Sequence, residues 1–361
     1  MKFLSLLVLS TSLIVISCKK HDMDMDHETP VSKLNIDFPA AYVVNGESNS
    51  ISVIKLSDNT VAGTAPFGSS ASHDMSMGND IMWPHHIAIN SNKTLLAIGV
   101  PGMDLSAGHG MGGVPHTGGG KIVIVDAVTG MITKSIVLPA MNHNAIFSPD
   151  GTEIWTSQMV EKGKVLVYDA TSYQLKSTIE VKMEPAEITF SSDGVKAFVA
   201  NSGSDTVTAI KIADKAIIGQ IKTDKEPVGA WTGADGNMYV DNEEGKSITV
   251  IKASDLSIVT TIPLEYMPGM AVYNSTNNEL WVTDPMKGMV HWYTKSGIIY
   301  THGGKFATAS GAHAIAFLKD GKTAYITNQL ASSVSVADVM THVETKEITV
   351  GKKPNGIVIK Q

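Results

Sequence analysis

A short phrase that recurs seven times along the chain constrains the fold more than any other feature. Each copy joins a turn to a short apolar run, and the first clear copy is PHHIAI at residues 84–89. The other copies are NHNAIF, PAEITF, PVGAWT, PGMAVY, AHAIAF and PNGIVI, which start at residues 142, 185, 227, 268, 312 and 354. After a longer first step, successive copies start 41 to 44 residues apart. A repeat of about 40–45 residues is the length of one β-propeller blade, which contains four strands.

The order of strands within a unit predicts how the array closes. Short β-branched runs between Gly, Asn, Asp and Ser turns indicate four strands per unit, called a, b, c and d, and the recurring phrase is strand a. The folded region begins with b, c and d strands at residues 40–66 and ends with an isolated a strand, GIVI, at residues 356–359. We therefore predict an all-β, seven-bladed β-propeller over residues 40–361, with the closing blade shared between the N- and C-terminal strands. This pairing removes the exposed edge of an open array.

The b strands carry a motif that is similar to a known repeat. AYVVN at residues 41–45 recurs as AFVAN at 197–201 and AYITN at 324–328, and a strand such as SISVI at 50–54 follows. These phrases resemble the YVTN-repeat β-propeller family, and the resemblance covers residues 40–361. It implies a seven-bladed propeller. It implies no particular function, because members of the family range from binding scaffolds to cofactor-bearing electron-transfer proteins.

The N-terminal residues have the features of an export signal. Lys2 precedes an apolar run at residues 3–16, and VISC at residues 15–18 resembles a bacterial lipobox. We predict a lipoprotein signal peptide at 1–17, lipidation of Cys18, and a flexible polar tether at 18–39. The protein would then be anchored to a membrane of the bacterial cell envelope, on the periplasmic or surface side of the outer membrane. The alternative is an ordinary signal peptide with an incidental cysteine.

Composition restricts the classes of partner and cofactor. The formal net charge is −7, and all 28 basic residues are lysine. Arginine supplies the bidentate contacts that recognise phosphate and guanine, so its absence argues against nucleic acid as a partner. Cys18 is the single cysteine, which leaves no thiolate for a zinc or iron–sulfur site in a lipidated protein. We expect a monomer.

Two irregular loops in the first unit are rich in methionine and histidine. One lies at residues 69–83, before strand a, and the other at 101–120, between strands b and c. Because strands alternate in direction, the b–c and d–a connections lie on the same face of a propeller. Strand a is innermost, so both loops should meet the recurring phrase at the mouth of the central channel. The same face could alternatively serve as a contact surface for a protein partner.

Three of the seven phrases have histidine in the second position, which predicts a metal site at this mouth. These residues are His85, His143 and His313. Imidazole and thioether are typical copper ligands, and carboxylates are few at this face, which disfavours Ca²⁺ or Mg²⁺. The candidate metal ligands are His85, His86, His109, His116, His143, His313, Met82 and Met111. The alternative is a polar channel without metal.

The sequence leaves three functions open. The first is an envelope lipoprotein that binds copper at the channel mouth, and the second is an interaction scaffold without metal. The third is a metal-assisted propeller enzyme, either lactonase-like or an oxidoreductase. No nucleophile motif, P-loop, dinucleotide fingerprint or haem attachment motif occurs in the sequence, so no catalytic residue is predicted. His291, His302 and His342 are assigned no role.

Overall fold

The recurring phrases form the innermost strands of seven antiparallel sheets, each with four strands. The structure is a computed structural model that describes residues 34–68, 81–106 and 119–361. The predicted signal peptide, Cys18 and most of the predicted tether lie outside the described residues, as do His109, Met111 and His116. Within the described ranges, no helix combines the length and the apolar character needed to cross a bilayer.

Blades are numbered by their innermost strand. Blade one contains β4 (Ile87–Ile89), β5 (Leu95–Val100), β6 (Lys121–Asp126) and β7 (Ile132–Val137). Blade two contains β8 (Ala145–Phe147), β9 (Glu153–Gln158), β10 (Lys164–Asp169) and β11 (Leu175–Glu180). Blade three contains β12 (Pro185–Phe190), β13 (Lys196–Asn201), a 3₁₀ turn (Ser202–Ser204), β14 (Thr206–Lys211) and β15 (Ile217–Lys222). Blade four contains β16 (Pro227–Thr232), β17 (Asn237–Asn242), β18 (Ser247–Lys252) and β19 (Ile258–Pro263).

The other three blades include the one that closes the ring. Blade five contains β20 (Ala271–Asn274), β21 (Glu279–Asp284), β22 (Met289–Ser296) and β23 (Ile299–Ala307). Blade six contains β24 (Ala312–Phe317), β25 (Thr323–Asn328), β26 (Ser333–Asp338) and β27 (Val343–Thr349). Blade seven contains β28 (Pro354–Lys360) together with β1 (Ala40–Asn45), β2 (Ser50–Lys55) and β3 (Thr60–Pro66).

The seven sheets form a closed ring. Each innermost strand contacts the innermost strand of the next blade, and β28 contacts β4 to complete the circle. In blade seven, the sheet order is β28-β1-β2-β3, and Tyr42 of β1 lies opposite Val358 of β28. The chain is therefore a seven-bladed β-propeller. The predicted sharing of the closing blade between the two ends of the chain is confirmed.

Hydrophobic clusters between neighbouring blades hold the ring together. Each strand alternates its side chains between two faces, so a middle strand such as β9 is buried on both sides. Trp155 of β9 packs with Phe190 and Ile188 of blade three, whereas Ile154 packs with Ile124 of blade one. The same arrangement recurs at the other blade interfaces. The outermost strands are largely exposed, and each adds only an isolated buried side chain to the core, such as Ile136 of β7 or Phe306 of β23.

The asparagine that ends the repeated b-strand motif has a structural role. Its side-chain amide donates a hydrogen bond across the b–c hairpin to a hydroxyl seven residues later. The four examples are Asn45 to Ser52 (2.9 Å), Asn201 to Thr208 (3.0 Å), Asn242 to Thr249 (3.0 Å) and Asn328 to Ser335 (2.8 Å). All four asparagines are fully buried. The motif therefore stabilises the hairpin that faces the channel mouth.

Residues 34–39 pack against the propeller, although the predicted tether extends to residue 39. Ile36 is fully buried in the cluster between blades seven and one, and Leu34 packs at its edge. The backbone amides of Leu34 and Ile36 donate to the carbonyls of Thr129 and Val128 at 3.1 and 2.9 Å. The packed domain therefore includes residues that precede the first strand.

Candidate metal centre

Two glycines allow the histidine segments of neighbouring blades to approach each other at the channel mouth. A Cβ atom at Gly99 would lie 2.6 Å from the Cα atom of Asn144 and 2.7 Å from the carbonyl oxygen of His143. A Cβ atom at Gly356 would lie 2.9 Å from the Cα atom of His86. Since real Cβ atoms essentially never come this close, a larger residue at either position would push the segments apart.

The close approach gathers three histidines into one buried cluster. One imidazole nitrogen from each of His85, His86 and His143 can be chosen so that all three lie within 4.8 Å of one another. The ring centroids are 4.4 Å apart for His85 and His86, 4.6 Å for His85 and His143, and 4.9 Å for His86 and His143. Their exposed fractions are 2%, 8% and 1%. Among the described residues, these three histidines are close enough to share one metal ion.

Glu187 of blade three fixes the orientation of His143. Its Oε2 atom lies 2.7 Å from His143 Nδ1 and 3.9 Å from His86 Nε2. Because a carboxylate only accepts hydrogen bonds, Nδ1 of the neutral His143 ring carries the hydrogen and Nε2 keeps its lone pair. The other carboxylate oxygen, Oε1, accepts a hydrogen bond of 2.7 Å from the side-chain amide of Asn144. A carboxylate in this position is the usual partner of a metal-binding histidine.

His313 lies at the rim of the cluster. Its ring centroid is 5.8 Å from those of both His85 and His86, and its side chain is partly exposed. Its Nδ1 atom lies 3.3 Å from the carbonyl oxygen of Asn355. The sequence pattern selected His85, His143 and His313 as equivalent positions. The tightest group instead contains His86, which follows His85 in blade one.

An apolar cover lies over one side of the channel mouth. Leu105, from the loop after β5, packs with Met141, Met159, Ala186 and Val228, which belong to blades two, three and four. Met103 from the same loop packs against this group. Lys353 of blade seven ties the loop down through hydrogen bonds to the side chains of Asp104 and Ser106. Of the predicted thioether ligands, Met82 is 46% exposed.

A buried carboxylate lies beside the cluster in blade four. Asp241 is fully buried and accepts hydrogen bonds from the indole nitrogen of Trp231 and from the backbone amide of Gly229 (3.1 Å). Burial, and secondarily the charge of Glu243, raises the pKa of Asp241 to about 7. The Trp231 ring lies 5.8 Å from the ring of His86. Asp241 therefore positions the aromatic wall of the site.

A second pair of histidines lies away from the channel, on blade five. Nδ1 of His291 is 3.1 Å from Nε2 of His302, and Nε2 of His291 is 3.8 Å from Oδ2 of Asp284. Burial, and then the charges of His302, Lys305 and Lys287, lowers the pKa of His291 to about 4. The sequence analysis gave this pair no role, because no repeated column links the two residues.

The sequence predicted His86 as a candidate ligand but not the role of the same position, the third in the recurring phrase, in blades two and three. That position supplies His86, Asn144 and Glu187 in blades one, two and three. All three side chains are buried at the channel mouth. The sequence did contain a signal for this role, because three adjacent units have a polar residue at this position, next to the repeated histidine.

Comparison with known proteins identifies relatives in fold. No protein-family model and no curated protein matches the chain. A functionally unknown protein from Desulfotomaculum acetoxidans is 14% identical, with a TM-score of 0.70 over 89% of this chain and 98% of its own. The periplasmic gluconolactonase of Pseudomonas aeruginosa is 16% identical, with a TM-score of 0.68 over 90% and 99% of the two chains. Hydrazine synthase of Kuenenia stuttgartiensis is 16% identical, with a TM-score of 0.63 over 79% and 92%.

These structures support the propeller fold. They do not confirm the resemblance to the YVTN-repeat family, and at such low identity they establish no activity for this chain. The function must therefore be argued from the residues at the channel mouth.

Proposed function

We propose that this protein is a lipoprotein of the bacterial cell envelope that binds a copper ion at the mouth of its propeller channel. The observation that carries the proposal is the cluster of His85, His86 and His143, whose ligand nitrogens lie within 4.8 Å of one another. Three imidazoles buried on rigid strand ends and held together by Gly99 and Gly356 form a donor set suited to a transition metal. Anchoring through Cys18 places this domain at a membrane surface.

The chemistry of the surroundings favours copper over harder cations. Imidazole binds Cu, Zn, Fe and Ni, whereas Ca²⁺ and Mg²⁺ require oxygen ligands. Glu187, the carboxylate in contact with the cluster, uses both of its oxygens to hold His143 and Asn144. Thioethers favour Cu(I), and three methionines, Met103, Met141 and Met159, form much of the nearby cover.

The apolar cover also favours a role in storing and transferring a metal ion rather than in rapid catalysis. Leu105 and Met103 pack in one cluster with Ala186 and Val228, so residues 103–105 lie over the channel mouth. We expect a buried site beneath this cover to exchange its metal slowly, because the contact between Lys353 and Asp104 holds residues 103–105 in place. His313, partly exposed at the rim, is placed to make the first contact with an entering ion.

Copper titration of the full-length protein tests the proposal. His21 and His27 are replaced by Ala in every sample, so that the polar N-terminal segment does not contribute. The double variant His85→Gln and His143→Gln should lose tight Cu(I) binding, measured by competition with a chromogenic chelator. Glu187→Gln should weaken binding by about 10- to 100-fold, as expected for a residue that orients a metal ligand. His342→Gln, on the rim of blade six, is the matched control and should bind as the parent does.

The titration separates the proposal from its alternatives. Equal copper affinity in the parent and the double variant refutes the channel site. In that case the exposed side chains of Met267, Met286 and Leu330 on the same face favour the interaction scaffold.

A metal-assisted lactonase is a second candidate. The position that holds histidine in blades one, two and six is occupied by Ala186, Val228 and Gly269 in blades three, four and five. These residues offer no metal ligand at that position, which leaves room for a substrate, and the gluconolactonase of Pseudomonas aeruginosa has a similar fold. Hydrolysis of gluconolactone that depends on added metal and is lost in the double variant would favour this activity.

A further inference from the structure

Blade five carries a different pair of residues at the positions that form the Asn–hydroxyl hairpin bond in four of the other blades. In four blades a buried Asn donates to a Ser or Thr seven residues later. In blade five the same two positions are occupied by Asp284 and His291. Their side chains face each other, with 3.8 Å between Asp284 Oδ2 and His291 Nε2. In blade five, an acidic residue and an imidazole therefore replace the neutral pair of Asn and Ser or Thr.

The outer hairpin of blade five brings a second imidazole to the first. Strands β22 and β23 contain eight and nine residues, and their register shifts between Trp292 and Tyr293. A Cβ atom at Gly303 or Gly304 would lie 2.3 or 2.5 Å from the Trp292 ring, so glycine is needed at both positions. This bulge places His302 on the same face as His291, with 3.1 Å between His302 Nε2 and His291 Nδ1.

The surroundings hold His291 rigidly and leave His302 accessible. His291 is 7% exposed, and its ring stacks on Tyr266 with centroids 4.2 Å apart. Asp284 is fully buried, and its Oδ1 atom accepts a hydrogen bond of 3.2 Å from the backbone amide of Lys287. His302 is exposed on the outer strand. The carboxylate of Asp284 thus favours hydrogen on Nε2 of His291 and a lone pair on Nδ1, the nitrogen that faces His302.

We propose that His291 and His302 form a second metal site, which binds a divalent transition metal of the Cu(II) or Zn(II) class through Nδ1 of His291 and Nε2 of His302. With metal–nitrogen distances of about 2.0–2.1 Å, two nitrogens 3.1 Å apart subtend an angle of roughly 100° at the metal. That angle suits both tetragonal and tetrahedral coordination. The ring of His302 turns to aim its lone pair at the ion, and its hydrogen moves to Nδ1.

The remaining coordination positions open into a cavity that can supply further ligands. The cavity has a volume of about 300 Å³, and its polar lining consists of His291, His302, Tyr266, Tyr293, Glu265, Lys287 and Lys305. Glu265 offsets one of the two lysine charges, and the remaining positive charge would repel a bare cation and attract an anionic co-ligand such as a carboxylate or a phosphate. We therefore expect binding that is weaker than at the channel mouth, and stronger when such an anion is present.

Cu(II) binding to the full-length protein tests this site, again with His21 and His27 replaced by Ala in every sample. The parent should bind two equivalents of Cu(II), and His302→Gln should bind one. His342→Gln removes a histidine from the neighbouring blade and should still bind two. In the double variant His85→Gln and His143→Gln, the electron paramagnetic resonance spectrum should show one Cu(II) coordinated by two imidazole nitrogens.

The outcomes distinguish the two sites. Loss of one equivalent in His302→Gln, with Cu(I) affinity at the channel unchanged, supports the blade-five site whether or not the channel binds copper. If His302→Gln binds as many equivalents as its parent, the proposal is refuted. Because His302 is exposed, this variant should keep its fold, and an unchanged melting temperature verifies that point. Binding of Cu(II) that does not tighten on addition of acetate or phosphate would refute the role of the lysines.

Discussion

Removal of the last strand should open the propeller. A chain that ends at Lys353 lacks β28, the innermost strand of blade seven. Ile357 and Ile359 pack against the cluster between blades six and seven, and Val358 packs against the cluster between blades seven and one. All three side chains are partly buried. Full burial of such a side chain stabilises a protein by ~2 kcal/mol, so a half-buried one contributes about 1 kcal/mol. Together the three side chains therefore contribute about 3 kcal/mol to the free energy of unfolding.

The neighbouring strand adds to this loss. Ala41, Tyr42 and Val43 of β1 are at most 1% exposed, and their backbone pairs with β28. Removal of β28 exposes this edge and breaks its hydrogen bonds, so the total loss of unfolding free energy should be about 5 kcal/mol. That is a large fraction of the ~5–15 kcal/mol that stabilises a typical domain. The melting temperature, followed by far-ultraviolet circular dichroism, should therefore fall by about 10 °C or more.

A peptide can replace the missing strand. A synthetic peptide of residues 352–361 should restore the melting temperature of the truncated protein, because it can pair with the open edge of β1. The same peptide with Ile357→Asp and Ile359→Asp is the control and should have no effect. If the truncated protein melts at the same temperature as the full chain, β28 does not close the ring as the structure indicates.

Three further predictions address charge, close packing and anchoring. Because the pKa of Asp241 rises from 3.8 in the unfolded chain to about 7, its contribution to stability is present below pH ~4 and is lost as the pH rises through 7. The unfolding free energy of the wild type relative to Asp241→Asn should therefore fall by up to about 4 kcal/mol between pH 4 and 8 in urea titrations, and a constant difference would contradict this. Gly356→Ala should cost about 1–3 kcal/mol of unfolding free energy and weaken copper binding by displacing His86, whereas Gly68→Ala, where a Cβ meets nothing within 4 Å, should change neither. Cys18→Ser should release the protein from membranes in cell fractionation, and retention with the normal mature N-terminus would refute lipidation.

Sequence periodicity was sufficient to predict the ring. The spacing of the phrases gave seven units, and the incomplete units at residues 40–66 and 356–359 gave the closure. The number of blades and the closure could both be predicted because they depend on local patterns that repeat along the chain. The alternation of apolar and polar residues in each strand also fixes the register of its sheet. The packing of Leu34 and Ile36 was missed because LNIDF at residues 34–38 alternates apolar and polar residues over only five positions, directly after a long polar segment.

The candidate site was only partly predictable. The column of His85 and His143 was visible, but strict alternation would point the next residue, such as His86 or Glu187, away from the channel. The structure shows register shifts at the start of several innermost strands, including one between Pro185 and Ile188. Such bulges re-aim side chains, and they depend on contacts between blades that are distant in sequence.

The way the ring closes also couples the candidate centre to a strand that is distant along the chain. The backbone amide of Gly356 donates to the carbonyl of His85 at 3.1 Å, and the side-chain amide of Asn355 donates to the carbonyl of Pro84 at 3.3 Å. The segment that carries two of the clustered histidines is therefore supported by strand β28, which is 271 residues away along the chain. Local unfolding of β28 would remove this support, so formation of the candidate centre is thermodynamically linked to closure of the ring. By the same linkage, an ion that binds the centre should stabilise the closed ring.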